Sequence, residues 1–167
     1  ADGPTIQLSN TVALQNGVTL KQTLDILRQA RAEGVTVPII LMGYYNPILN
    51  YNEEKFIKDA AAAGANGFII VDLPPEEALK VRNYARESGL SLIPLVAPST
   101  TNERLELLSE IADSFVYVVS RMGTTGAQTS VASDLGELVT RVRKYTKDTP
   151  LAVGFGVSTR QHFTDVG

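Results

Sequence analysis

Short, continuously apolar stretches alternate with amphipathic ones along the whole chain, and this alternation constrains the fold more than any other feature. The run Pro38-Ile39-Ile40-Leu41-Met42 contains no polar side chain. A run of that kind reads as a strand covered on both faces, which belongs in a parallel sheet with helical crossovers. The sequence predicts strands over 37–42, 67–71, 91–96, 115–119 and 150–154. Between them lie helical patterns with recognisable ends. Thr19-Leu20-Lys21-Gln22 has the form of a capping box, Leu20, Leu24, Leu27 and Ala30 follow at helical spacing, and Gly34 stops the helix. Asn52-Glu53-Glu54 opens another helix with acid in its first turn, and Phe56, Ile57, Ala60 and Ala61 carry its apolar face to Gly64. Pro75 suits the first turn of a third, and 102–112 reads as a fourth. Ser133 is expected to cap a fifth, bearing Leu135, Leu138, Val139 and Val142, and Ser158 opens a sixth.

Composition narrows the function classes. The 167 residues carry 15 Lys+Arg against 18 Asp+Glu, a net charge of −3 with no basic block, which argues against a nucleic-acid partner. No apolar run approaches the roughly 20 residues that span a bilayer, so no membrane partner is expected, and no signal-peptide pattern opens the sequence. There is no cysteine, which excludes disulfides and thiolate chemistry. The single histidine, His162, argues against His-rich metal sites and Ser-His triads and reads as a surface or packing residue. No metal-ligand cluster is expected. A soluble, cytoplasmic globular protein is the expectation.

Two architectures suit a βα series: a doubly wound open sheet and a (β/α)8 barrel. Five strands would complete a flavodoxin-like sheet. Against that, no strand precedes the turn sequence Ala1-Asp2-Gly3-Pro4, and the chain finishes one helix after a strand. A unit length of about 24–35 residues gives eight units in the roughly 250 residues of a barrel. The expectation is therefore a partial TIM barrel over 1–167, an interior portion of about five βα units lacking the first strands and the last βα unit. No linker or composition shift divides it.

In parallel βα folds the functional loops follow the carboxyl ends of the strands. The stretch Ser120-Arg121-Met122-Gly123-Thr124-Thr125-Gly126-Ala127-Gln128-Thr129 is long, polar and glycine-punctuated, and reads either as a closing lid or as a surface loop. Gly154-Phe155-Gly156-Val157-Ser158 allows backbone N–H groups to approach an anion at a helix start, or is a tight turn that needs glycine. Asp2 and Asp72 are the carboxylates to weigh. Each reads as a catalytic group or as a loop former. Tyr117 falls inside an apolar strand, so its ring is expected in the core.

Read together, Asp2-Gly3-Pro4-Thr5-Ile6-Gln7, Ser120-Arg121-Met122-Gly123-Thr124-Thr125-Gly126 and Gly154-Phe155-Gly156-Val157-Ser158 resemble the tryptophan synthase alpha chain, a (β/α)8 barrel. The similarity includes Gly43-Tyr44-Tyr45-Asn46-Pro47 and Val71-Asp72-Leu73-Pro74, and the wording is similar to fungal members in which alpha and beta activities share one polypeptide. The resemblance implies a lyase of tryptophan biosynthesis, which cleaves indole-3-glycerol phosphate to indole and glyceraldehyde 3-phosphate without a cofactor. Pyridoxal phosphate is implied only in the partner beta chain or fused beta domain. Other readings are a different phosphate-binding barrel, such as a sugar-phosphate isomerase or epimerase, and a non-catalytic partner module.

The resemblance also implies roles. Asp2 is the catalytic carboxylate facing the indole N–H. Met42, Tyr44 and Ile69 surround the indole, Met42 standing where Leu is commoner. Tyr117 lies beside the substrate, Thr125 and Gly126 belong to the closing loop, and Phe155 lies beside the indole. Gly126 and Gly156 face the phosphate. The family's acid/base glutamate precedes the Asp2 motif and its second phosphate turn follows the last strand, so neither is expected within 1–167. An alpha–beta interface is implied at the segment of Asp2 to Gln7, the Tyr44 to Pro47 loop and the Arg121 to Thr129 loop.

Overall fold

The structure is a computed structural model that describes residues 4–119, 131–154 and 160. The chain forms two compact units, Ala1–Ser91 and Leu92–Gly167. In the first, helix α1 (Pro4–Gln15) and helix α2 (Leu20–Ala32) precede strand β1 (Ile40–Gly43). Two helices, α3 (Tyr45–Tyr51) and α4 (Glu53–Ala63), connect β1 to strand β2 (Gly67–Ile70), and helix α5 (Pro75–Glu87) leads to strand β3 (Ser91–Leu92). The sheet order is β1-β2-β3. β1 and β2 are parallel, with Met42 opposite Ile69 and Gly43 opposite Ile70.

The local reasons are visible in the residues. Thr19 caps α2 reciprocally with Gln22, completing the capping box. Leu24 and Leu27 are the buried stripe of that helix. Asn52, with φ of +79°, ends α3 and starts α4, its side chain accepting the Lys55 N–H at 3.0 Å. Phe56, Ile57, Ala60 and Ala63 bury the inner face of α4. Every residue of β2 is buried. Arg31 ties α2 to the start of the sheet: its guanidinium donates to the Gly64 carbonyl (2.8 and 3.0 Å), the Val37 carbonyl (2.8 Å) and Asn66 Oδ1 (2.8 Å).

In the second unit, strand β4 (Leu95–Val96) is followed by helix α6 (Asn102–Ile111), strand β5 (Val116–Val119), helix α7 (Val131–Thr146) and strand β6 (Leu151–Gly154). The order is β4-β5-β6 with both pairings parallel. Val96, Leu105, Val116, Val118, Leu138 and Val142 form its core, with Leu151 and Val153 packed against them. Among the described residues no helix is long and apolar enough to cross a membrane, and no cluster of three or more His, Asp or Glu could hold a metal ion.

Several expectations are corrected. The chain from Pro4 is a helix, α1, with no buried residue, and the stretch after Tyr44 is a helix rather than a loop. The expected strand over 91–96 is two short strands separated at Ile93-Pro94, because Pro94 has no N–H to donate to a ladder. The strand expected from 37 begins at Ile40, past Pro38, and Met42 within it is 45% exposed rather than covered. Helix α7 starts at Val131, which makes Ser133 its third residue and not its cap.

Candidate functional site

The carboxyl ends of β1 and β2 open into a cleft of about 680 Å³. Its floor is the register pair Met42 and Ile69. Tyr44, the residue that turns the chain from β1 into α3, lines it too. Ile6, Asn10, Ala13 and Leu14, at helical spacing on α1, add one wall, and Thr19, the cap of α2, and Thr23 line the cleft with hydroxyls that also bond within the helix start. A largely apolar cleft of this size with a few polar groups suits a small organic ligand. Tyr44 is 40% exposed and Met42 45%, so both present surface to a ligand, whereas Ile69 is 6% exposed and closes the floor.

A polar cluster holds the residue next to Tyr44. The Tyr45 N–H donates to Asp72 Oδ1 at 2.7 Å, so the carboxylate at the end of β2 satisfies a donor at the start of α3. The Tyr45 ring is buried, and its hydroxyl donates to Glu53 Oε1 at 2.5 Å. Glu53 is 7% exposed, and its other oxygen pairs with Lys80 of α5. Burial pushes the Glu53 carboxyl up, but the hydrogen bonds from Lys80 and Tyr45 outweigh it and hold the group below the ordinary glutamate value of 4.5. Burial, then the Glu53 hydrogen bond, pushes the Tyr45 phenol well above the ordinary tyrosine range. Asp72 is thus an acceptor for the start of a helix 27 residues earlier, a role that its reading as a catalytic group or a loop former did not include. The sequence shows Glu53 only as a first-turn acid. The eight-residue step from Tyr45 and the 27-residue step to Lys80 carry no motif.

In the second unit Tyr117 is opposite Ala152 and lies over Gly154. Val116 and Val118 point into the core, and the alternation of β5 sets Tyr117 and Val119 on its other, half-buried face. The expectation of a core ring is corrected accordingly. Burial pushes the Tyr117 hydroxyl up from its ordinary value. The structure therefore brings Met42, Tyr44 and Ile69 together in the first unit and sets Tyr117 on the half-buried face of β5 in the second. Asp2, Thr125, Gly126, Phe155, Gly156 and His162 lie outside the described residues.

Parallel strands joined by helical crossovers, with a cleft at the strand carboxyl ends, define an α/β protein of the βα-repeat class. The chain belongs to the tryptophan synthase alpha chain family, whose family model matches residues 1–167. It is 86% identical over 167 residues to "Tryptophan synthase" of Saccharomyces cerevisiae, covering all of this chain and 24% of that protein. It is 54% identical over 159 residues to the tryptophan synthase alpha chain of Acidiphilium cryptum, covering 95% of this chain and 57% of that one. Among solved structures it matches a chain from the tryptophan synthase α2β2 complex of Pyrococcus furiosus with a TM-score of 0.88 and 39% identity, over 99% of this chain and 66% of that one. The chain thus spans about a quarter of the yeast relative and less than two thirds of the bacterial one. Its fold is an incomplete portion of the family's (β/α)8 barrel.

Proposed function

We propose that the chain is part of a lyase that cleaves indole-3-glycerol phosphate into indole and glyceraldehyde 3-phosphate. One observation supports this reading above the others: Met42, Tyr44 and Ile69, three positions that family resemblance assigns to the indole, line one apolar cleft. A planar apolar ring gains from such walls, and its N–H needs an acceptor once water is excluded.

The reaction is a retro-aldol step. Indole C3 takes a proton, which makes the ring indoleninium-like and puts positive character on the indole N–H. The hydroxyl on the adjacent glyceryl carbon then loses its proton, the bond from C3 to that carbon breaks as the aldehyde forms, and the electron pair returns to the ring to leave neutral indole. Asp2, in this reading, accepts the hydrogen bond from that N–H, which strengthens as the ring becomes indoleninium-like and so favours the transition state. The family resemblance assigns Tyr117 and Phe155 to the substrate and Thr125 to the closing loop. It assigns Gly126 and Gly156 to the phosphate, and binding through main-chain amides would reconcile a net-acidic chain with an anionic substrate. The alpha step needs no cofactor; pyridoxal phosphate belongs to the beta chain. The partner face we assign includes Asn46 and Pro47, both exposed in the first turn of α3.

The test places these 167 residues in the corresponding stretch of the Saccharomyces cerevisiae relative and measures indole release from indole-3-glycerol phosphate. Release at the rate of the unsubstituted relative supports the reading. Interconversion of a sugar phosphate without indole release contradicts it.

A further inference from the structure

We propose that Glu53 is a positioning residue for the substrate wall, acting through Tyr45 on Tyr44. The inference rests on reading the cleft of the first unit as the substrate site. Tyr44 and Tyr45 are consecutive at the junction of β1 and α3, so their side chains leave the backbone in different directions. Tyr44 lines the cleft, and Tyr45 is buried away from solvent. Tyr45 is gripped at both ends: its N–H by Asp72, from the end of β2, and its hydroxyl by Glu53, the first residue of α4. Glu53 is gripped in turn by Lys80 on α5. Three helices and one strand end therefore determine where Tyr45 sits, and with it the backbone that leads out of Tyr44.

The cluster does not fit a bland account of surface charge. Among the described residues the other ion pairs of the first unit, Lys21 with Asp25, Arg28 with Asp25, Lys55 with Asp59, Lys58 with Glu54 and Lys80 with Glu77, lie within single helices, and their carboxylates are 33–49% exposed. The Glu53 side chain is 8% exposed and joins different helices. A buried carboxylate is costly to desolvate, and removing one partner leaves the other without compensation. Such a group serves to hold one geometry, and the geometry here is that of the Tyr44 wall.

The experiment uses the same full-length chimera with the S. cerevisiae relative. Values of KM and kcat for indole-3-glycerol phosphate, the dissociation constant of indole, and Tm are measured for Tyr45→Phe, Glu53→Gln, Glu53→Leu, Tyr44→Ala and Tyr44→Ala/Tyr45→Phe. Loss of positioning at a binding wall is expected to raise KM and the indole dissociation constant about tenfold in Tyr45→Phe, with kcat changed less than about twofold. Glu53→Leu, which deletes the acceptor, is expected to match it and reads the effect should Tyr45→Phe not fold. Glu53→Gln retains an oxygen for the phenol and is expected to stay within about threefold of the unsubstituted chain. With Tyr44 already removed, Tyr45→Phe is expected to add nothing. Unchanged KM and indole binding with a lowered Tm would overturn the inference, as would effects of Tyr44→Ala and Tyr45→Phe that multiply. If the unsubstituted chimera releases no indole, the lyase reading fails, and the indole dissociation constants still decide the positioning role.

Discussion

The ring of Tyr117 occupies the space beside Gly154 in which any other residue would carry its Cβ. A Cβ built there collides with Tyr117 Oη and Cζ and lies 2.7 Å from Cε2. Gly154 pairs with Val119, two residues beyond the partner of Tyr117, so the ring leans along the sheet toward the strand ends. Its φ is not in the left-handed region, and the need for glycine is therefore one of space and not of backbone conformation.

Replacing Gly154 by alanine is expected to force the Tyr117 ring off its position. Overpacking of this kind costs about 1–3 kcal/mol. In the intact chain the variant should melt lower and release indole more slowly. Adding Tyr117→Ala should restore the stability lost and leave the activity low. A Gly154→Ala chain with unchanged melting and turnover would count against the contact.

Gly64 presents the other kind of constraint. Its φ is +96°, and a Cβ there would lie 2.8 Å from Cγ of Arg31, the residue whose guanidinium binds the Gly64 carbonyl. Gly64→Ala is expected to destabilise by about 1–2 kcal/mol, from left-handed strain and displacement of the Arg31 stem. Denaturant unfolding reads this directly, and no effect on indole affinity is expected beyond that of lost stability.

Acid should expose the buried carboxylate. The Glu53 carboxyl in the folded chain is held below the ordinary value of 4.5. Its contribution to stability is therefore complete above that value and is lost as pH falls through the lower, folded one. The Lys80 ammonium is held above its ordinary 10.5 by the hydrogen bond to Glu53, so its share is complete below 10.5 and is lost only above the folded value. Thermal melts from about pH 7 down to about pH 3 should fall more steeply for the unsubstituted protein than for Glu53→Gln. Parallel curves would show that Glu53 does not titrate with folding.

Much of the architecture was legible because it depends on local patterns. The apolar run 67–71 gave the buried strand β2, and the Thr19 and Gln22 pair marks a helix start with two reciprocal bonds. Helix α1 was not legible, since it buries no residue and lacks an apolar stripe aimed at a core. Helix α3 was hidden by its N-terminal Tyr-Asn-Pro, which reads as a turn until Asp72, 27 residues on, supplies the acceptor for its first N–H. The wall residues Met42, Tyr44 and Ile69 were found only through family resemblance. The Glu53 cluster has no sequence signal, because burial of a carboxylate depends on three helices meeting.

The partner face can be separated from the substrate wall at Asn46, though not at Pro47, which also lines the cleft. Asn46 is exposed one residue past Tyr45, while Tyr44 lines the cleft. In the complete protein, Asn46→Ala is expected to weaken stimulation by the beta chain or domain several-fold, about 1 kcal/mol of coupling, with little change in affinity for indole-3-glycerol phosphate. Unchanged beta stimulation with lost substrate binding would move Asn46 from the interface to the site.

The most direct test of the lyase reading compares Asp2→Asn with Asp2→Ala in the intact chain at saturating indole-3-glycerol phosphate. Asparagine keeps the size and turn-forming ability of aspartate but not the charge that balances a developing indoleninium. If Asp2 is catalytic, both variants fold, bind indole and lose turnover by about 100- to 1,000-fold, or about 3–4 kcal/mol of barrier, with little rescue by asparagine. If Asp2 only shapes a turn, Asp2→Asn keeps near-normal turnover and Asp2→Ala loses about 1 kcal/mol of stability instead. Indole release by Asp2→Asn is the measurement that decides: a collapse is the predicted result, and a near-normal rate would contradict the catalytic assignment.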